Sequence, residues 1–81
     1  MNRSQKLLTK FIKTPTTLRY PQIHKILLEF NFEHKRTSGS HQIYQNIELP
    51  VSITIPVHGG DCKPFYKKEV SKIIQKIISS K

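Results

Sequence analysis

The sequence is short of several things, and each shortage narrows what the chain can be. It has one cysteine, Cys62, which excludes an internal disulfide and any paired-cysteine metal or redox motif. That usage suits a reducing compartment, so a cytoplasmic location is expected. The four histidines show no metal-ligand spacing, and neither a zinc site nor another cofactor is expected. Long apolar runs are missing as well. Lys6, Lys10 and Lys13 interrupt the apolar residues near the N-terminus, so no signal-peptide core is expected, and no stretch is long enough to span a bilayer. With 81 residues the chain has room for one domain, 1–81. A domain this small buries only about 60–65% of the surface its unfolded chain exposes. A large internal substrate cavity is therefore excluded, and an active site must lie on the surface.

Acidic residues are scarce too. Five Asp and Glu face fourteen Lys and Arg, for a formal charge of +9. The lysines run from Lys6 to Lys81 instead of forming one tail. Such a field attracts polyanions and speeds encounter with them. Nucleic acid is the leading partner on this ground. A Lys-rich surface that merely keeps a small protein soluble is the plain alternative. An anionic membrane fits less well, because no long apolar face edged with aromatics is present.

Apolar spacing places three helices and three strands. Leu8, Phe11 and Ile12 recur at helical spacing behind Ser4, a candidate N-cap, and the Thr14-Pro15 step ends that helix. Pro21 suits the first turn of a second helix, whose Ile23, Ile26, Leu27 and Phe30 form one stripe. Phe32 to Ser38 and His41 to Gln45 read as strands joined by a tight turn at Gly39-Ser40. Val51 to Val57 alternates strictly between apolar and polar residues, with Pro56 near its end or at an edge. His58 to Pro64 is a loop. A last helix from about Phe65 to Ser79 carries Val70, Ile73, Ile74, Ile77 and Ile78 on one face, and Lys68, Lys72 and Lys76 on another. The order is helix, helix, three antiparallel strands, helix: an α+β domain with the helices on one sheet face and the other face open.

The segment from Phe32 to Tyr44, ending in Gly39-Ser40-His41-Gln42-Ile43-Tyr44, resembles the signature of HicA-type toxins, mRNA-cleaving partners of HicB-type antitoxins. The likeness continues through Ile55-Pro56-Val57-His58-Gly59 into the basic last helix, covering roughly Leu18 to Ile78. It implies an α-β-β-β-α fold similar to a double-stranded RNA-binding domain, with residues 18–78 as the core and 1–16 as an added N-terminal helix. It also implies a metal-independent endoribonuclease that acts on mRNA, with His41 as the catalytic residue, and a HicB-type antitoxin as partner.

The chemistry suits an imidazole. RNA carries its own nucleophile, the 2′-hydroxyl, so an enzyme need only remove that proton, hold the geometry and offset growing negative charge. Histidine titrates near neutrality and can serve as base or acid, while nearby Lys or Arg stabilises the charge. Strand alternation sets His41 on the same side as Ile43. If Ile43 is buried, His41 faces inward, unless it stands at the strand's very start. Ser40 and His58 are candidate auxiliary groups, and His24 and His34 read as surface positions. Lys35, Arg36, Lys63, Lys67 and Lys68 are the candidate RNA contacts, the last three flanking the start of the final helix, where the dipole favours phosphate. In such folds shape and phosphate contacts dominate recognition. Each of these lysines has an alternative reading as part of an ordinary solvated face. Two further functions stay open: a non-catalytic RNA-binding module using the same basic face, and a structural or DNA-associated protein.

Overall fold

The structure, a computed structural model, describes residues 3–80, with Arg36 described through its backbone alone. Helix α1 spans Arg3–Lys13. Ser4 lies inside it and is not its cap, so the helix starts earlier than its side-chain chemistry suggests. A single 3₁₀ turn, Pro15–Thr17, follows the helix, because the proline forbids continuation of the α ladder. Helix α2 spans Tyr20–Glu29 with Pro21 in its first turn, and the Gln22 side chain accepts the Arg19 backbone N–H at 3.0 Å. Asn31 ends the segment in the left-handed region, at φ 68°, a conformation that asparagine tolerates better than most residues.

Three strands follow: β1, Phe32–Ser38; β2, His41–Asn46; and β3, Ser52–Pro56. They form an antiparallel meander in the order β1-β2-β3. Helix α3, Pro64–Ser79, closes the chain. From α2 onward this is the expected α-β-β-β-α arrangement, with α1 added in front.

The register sorts the sheet into two unlike faces. Phe32, Tyr44, Asn46, Ile53 and Ile55 are buried together on one face, against Ile23, Ile26 and Leu27 of α2 and Val70, Ile74 and Ile77 of α3. Phe11 of α1 joins that core, and its carbonyl accepts a 2.9 Å hydrogen bond from the buried Ser71 hydroxyl. Glu33, Ser38, His41, Gln45, Ser52 and Thr54 alternate onto the other face, and each is exposed. Among the described residues no helix covers that face, as the pattern of the third strand predicts.

One buried polar residue organises the end of the sheet formed by the β2–β3 loop. Asn46, only 6% exposed, donates to the Phe30 carbonyl at 2.9 Å and accepts the N–H groups of Glu48 and Leu49. A buried amide is tolerable only when satisfied in this way.

Candidate active site and nucleic-acid interface

The β1–β2 turn presents the histidine that the sequence singles out. Gly39 has φ +61°, and Ser40 is not in the positive-φ region, the two-residue hairpin pattern in which only the first central residue is left-handed. Ser38 and His41 pair across it. On its other side His41 stands opposite Pro56 of β3. Alternation does set His41 with Ile43, but this is the open face: Ile43 is half-buried there, while Tyr44 and Asn46 take the inner side. His41 is exposed.

A second tight turn stands at the same end of the sheet. Val57 N–H donates to the Ser40 carbonyl at 2.8 Å, extending the β2–β3 ladder toward the hairpin. His58 and Asp61 then exchange backbone hydrogen bonds of 2.9 and 3.2 Å around Gly59 and Gly60, at φ +60° and +80°. Two consecutive left-handed residues are what a type I′ turn requires. His41, Ser40 and His58 are thus brought together at one end of the molecule. Between this turn and the start of α3 lies a cleft of about 290 Å³, lined by Pro56, His58, Asp61, Cys62, Lys63 and Tyr66.

Asp61 fastens the cleft to the fold. Its carboxylate accepts the backbone N–H of Tyr20 at 2.9 Å and of Cys62 at 2.9 Å. The Lys67 ammonium reaches it at 3.2 Å, and the exposed Arg19 guanidinium at 3.7 Å. Burial alone pushes the carboxyl upward, but these hydrogen bonds and the lysine charge outweigh it and hold its pKa below the ordinary range. Cys62, beside it, is a buried thiol whose pKa burial pushes up. It is therefore poor thiolate material.

The five expected RNA contacts part company. Lys63 occupies the N-cap position of α3, with no capping bond from its side chain, and lines the cleft. Lys68 is exposed one turn further along the same helix, whose first turn holds no acidic residue. Lys67, in contrast, is only 6% exposed and pairs with Asp61. It is structural, and its ammonium is spent inside the protein. Lys35 sits at a β-bulge, where the β1 register shifts between His34 and Arg36. It pairs with Glu33 at 3.2 Å and borders a recess with Gln45, Asn46 and Ile47, toward the other end of the sheet. Arg36 stands opposite Ile43 in the register, two positions from His41 along β2.

A polar knot lies where the sequence pattern gives no sign of one. Tyr44 is wholly buried, and its hydroxyl bonds to that of Tyr20 and, at 2.7 Å, to Nδ1 of His24. The His34 ring stacks on Tyr44 with centroids 4.8 Å apart. Burial, then the neighbouring His34, lowers the His24 pKa, and burial, then the Tyr20 bond, raises that of Tyr44. His24 is thus a half-buried packing residue and not a surface one. Nothing in the local sequence marks this knot, since its members lie up to 24 residues apart. Asp61 and Tyr66 were missed too. The clue was weak: Asp61 is the only acid between Glu48 and Glu69.

Among the described residues, no three His, Cys, Asp or Glu side chains gather in a way that could hold a metal ion. No described helix is long and apolar enough to cross a membrane.

With this geometry in place, comparison with known families matches residues 20–76 to the HicA toxin of bacterial toxin–antitoxin systems. The chain belongs to the HicA toxin family. The match begins at the first residue of α2 and ends within the last turn of α3, so it takes in the sheet, both tight turns and the cleft. Membership makes an antitoxin its implied partner. Comparisons with curated proteins and with solved structures gave no match.

Proposed function

We propose that this HicA-family protein is a metal-independent endoribonuclease that cleaves mRNA in the cytoplasm, with His41 as the catalytic residue and a HicB-type antitoxin as its inhibitor. The observation that carries the reading is the position of His41. It is exposed at the first residue of β2, on the open sheet face, opposite Pro56 at the rim of the cleft.

In this reading His41 removes the proton from a ribose 2′-hydroxyl. The 2′-oxygen attacks the adjacent phosphorus, the bond to the 5′-oxygen breaks, and a 2′,3′-cyclic phosphate and a free 5′-hydroxyl result. His58, two residues beyond Pro56, is the candidate donor of the proton that the 5′-oxygen takes up. The Ser40 hydroxyl is the candidate hydrogen-bond donor to a phosphate oxygen. Lys63 and Lys68, with the positive end of the α3 dipole, favour the phosphate chain. Arg36, at its register position beside Ile43, is a candidate for the same role, and Lys35 for a more distant backbone contact. A HicB-type antitoxin would silence the protein by covering the open face around His41.

The test is induced expression of the wild-type chain and of His41→Ala, with growth and RNA integrity followed together. Wild type should arrest growth and cut mRNA, and His41→Ala should do neither while folding normally. Products ending in 3′-hydroxyl and 5′-phosphate would exclude the mechanism as written. RNA binding by wild type without cleavage would favour a non-catalytic RNA-binding module.

A further inference from the structure

We propose that the cleft beside His41 is a nucleobase pocket that takes one unpaired base, which makes single-stranded RNA the substrate form. The proposal rests on the RNA-cleavage reading above and adds to it the state in which the RNA is bound.

Position comes first. Pro56 faces His41 across the β2–β3 ladder and also lines the cleft, so a strand whose phosphate lies at His41 carries a neighbouring base to the cleft mouth. The walls suit a flat heterocycle. Tyr66 and His58 supply rings, and Pro56 and the buried Cys62 supply apolar surface. Bases splayed from a single strand stack on such rings.

The polar groups point the same way. Among the described residues, the Tyr66 hydroxyl, the His58 ring and the Lys63 ammonium make no side-chain hydrogen bond or ion pair. They remain available to a base edge or a flanking phosphate. The cleft's one carboxylate, Asp61, is occupied by two backbone N–H groups and by Lys67, and its charge is offset, so it does not repel a polyanion. Few polar groups set among apolar walls is the usual make-up of a small-molecule site.

Size decides against a duplex. At about 290 Å³ the cleft lies at the lower bound of ligand pockets, roughly 300 Å³, and a paired base cannot leave its stack to enter it without paying for unpairing. A domain of this architecture would by shape alone read duplex RNA; the cleft at its hairpin end selects the opposite.

The experiment uses full-length His41→Ala protein, which should bind without cutting. An RNA oligonucleotide carrying 2-aminopurine is presented single-stranded and then annealed to its complement. Single-stranded RNA should change the fluorescence and bind about tenfold more tightly than duplex. Tyr66→Leu, placed in the same background and checked by thermal melting, should lose about tenfold in single-strand affinity. Equal affinity for both forms overturns the pocket whether or not Tyr66→Leu folds. So does a folded Tyr66→Leu protein that binds like its parent. Failure of the unmutated chain to cleave any RNA is a separate result, and it overturns the ribonuclease reading instead.

Discussion

Lys67 holds its ammonium 3.2 Å from Asp61 Oδ2 with only 7% of its side chain exposed. The pair ties the start of α3 to the loop that carries the cleft, and through the Tyr20 N–H to the start of α2. Removing the carboxylate strands a buried cation, which is costlier than removing the cation. Asp61→Ala should therefore lose about 3 kcal/mol, a fall in Tm of about 12 °C or more for a domain this size. Lys67→Met keeps the apolar stem and leaves the carboxylate its two N–H donors, and should lose only about 1–2 kcal/mol. Thermal melts of the two variants check the order, and a reversed order would show that an unpaired Lys67 ammonium is not the costlier group to leave behind.

Asp61 also predicts an acid limit. Its pKa is depressed in the folded protein, so its contribution is complete above the unfolded carboxyl value of about 3.9 and is lost as pH falls through the folded value. Stability measured by urea unfolding should drop below about pH 4. Asp61→Asn, less stable at neutral pH, should show a shallower drop over that window.

His24 acts in a higher window. Its folded pKa lies below the ordinary 6.5, so folding favours the neutral ring. Stability should be complete above about pH 6.5 and decline as pH falls toward the folded value. His24→Gln, which can still bond the Tyr44 hydroxyl, should flatten the profile between about pH 7 and pH 5. Imidazole shifts followed by NMR give an independent check, with the His24 midpoint on the acid side of 6.5.

The division among the lysines has a salt signature. Each Lys contact to a single-stranded backbone releases a counterion and contributes roughly 0.7 to the slope of log affinity against log salt. Lys63→Ala and Lys68→Ala should each reduce the slope by about that amount. Lys67→Met should leave the slope alone, whatever it does to stability. A slope change for Lys67→Met would place its ammonium on the RNA.

The turn that carries His58 is a backbone requirement and not a packing one. A Cβ at Gly59 meets nothing within 4 Å, but φ is +60°. Asn tolerates that conformation and a β-branched residue does not. Gly59→Asn should change stability by less than about 0.5 kcal/mol, while Gly59→Val should cost roughly 1–2 kcal/mol. Denaturant midpoints of the two proteins measure the difference.

Elements with a clean period were readable from residues alone. β3 alternates Ser52-Ile53-Thr54-Ile55, and α3 repeats its isoleucines, so burial follows directly from spacing. β2 was harder, because His-Gln-Ile-Tyr-Gln-Asn places one apolar residue on each side. Its inner face proves to be Tyr44 and a satisfied Asn46, a choice set by partners on α2 and in the β2–β3 loop. The exposure of His41 therefore depends on tertiary partners and not on the pattern of β2 itself. The Lys67–Lys68 pair shows the same limit: identical residues, adjacent in sequence, differ because a helix turns by 100° per residue and Asp61 waits on one side only. Polar contacts between distant segments, such as Tyr20 to Tyr44, leave no local period to read.

The way the chain is stitched also bears on how it assembles. Every sheet pairing joins strands adjacent in sequence, so short loops close early and little chain entropy must be lost before contacts form. The hydrogen bond from Ser71 to the Phe11 carbonyl spans sixty residues, so the seam between α1 and α3 joins opposite ends of the chain. The sheet with its hairpin should therefore form in the folding transition state, while the seam between α1 and α3 closes afterwards.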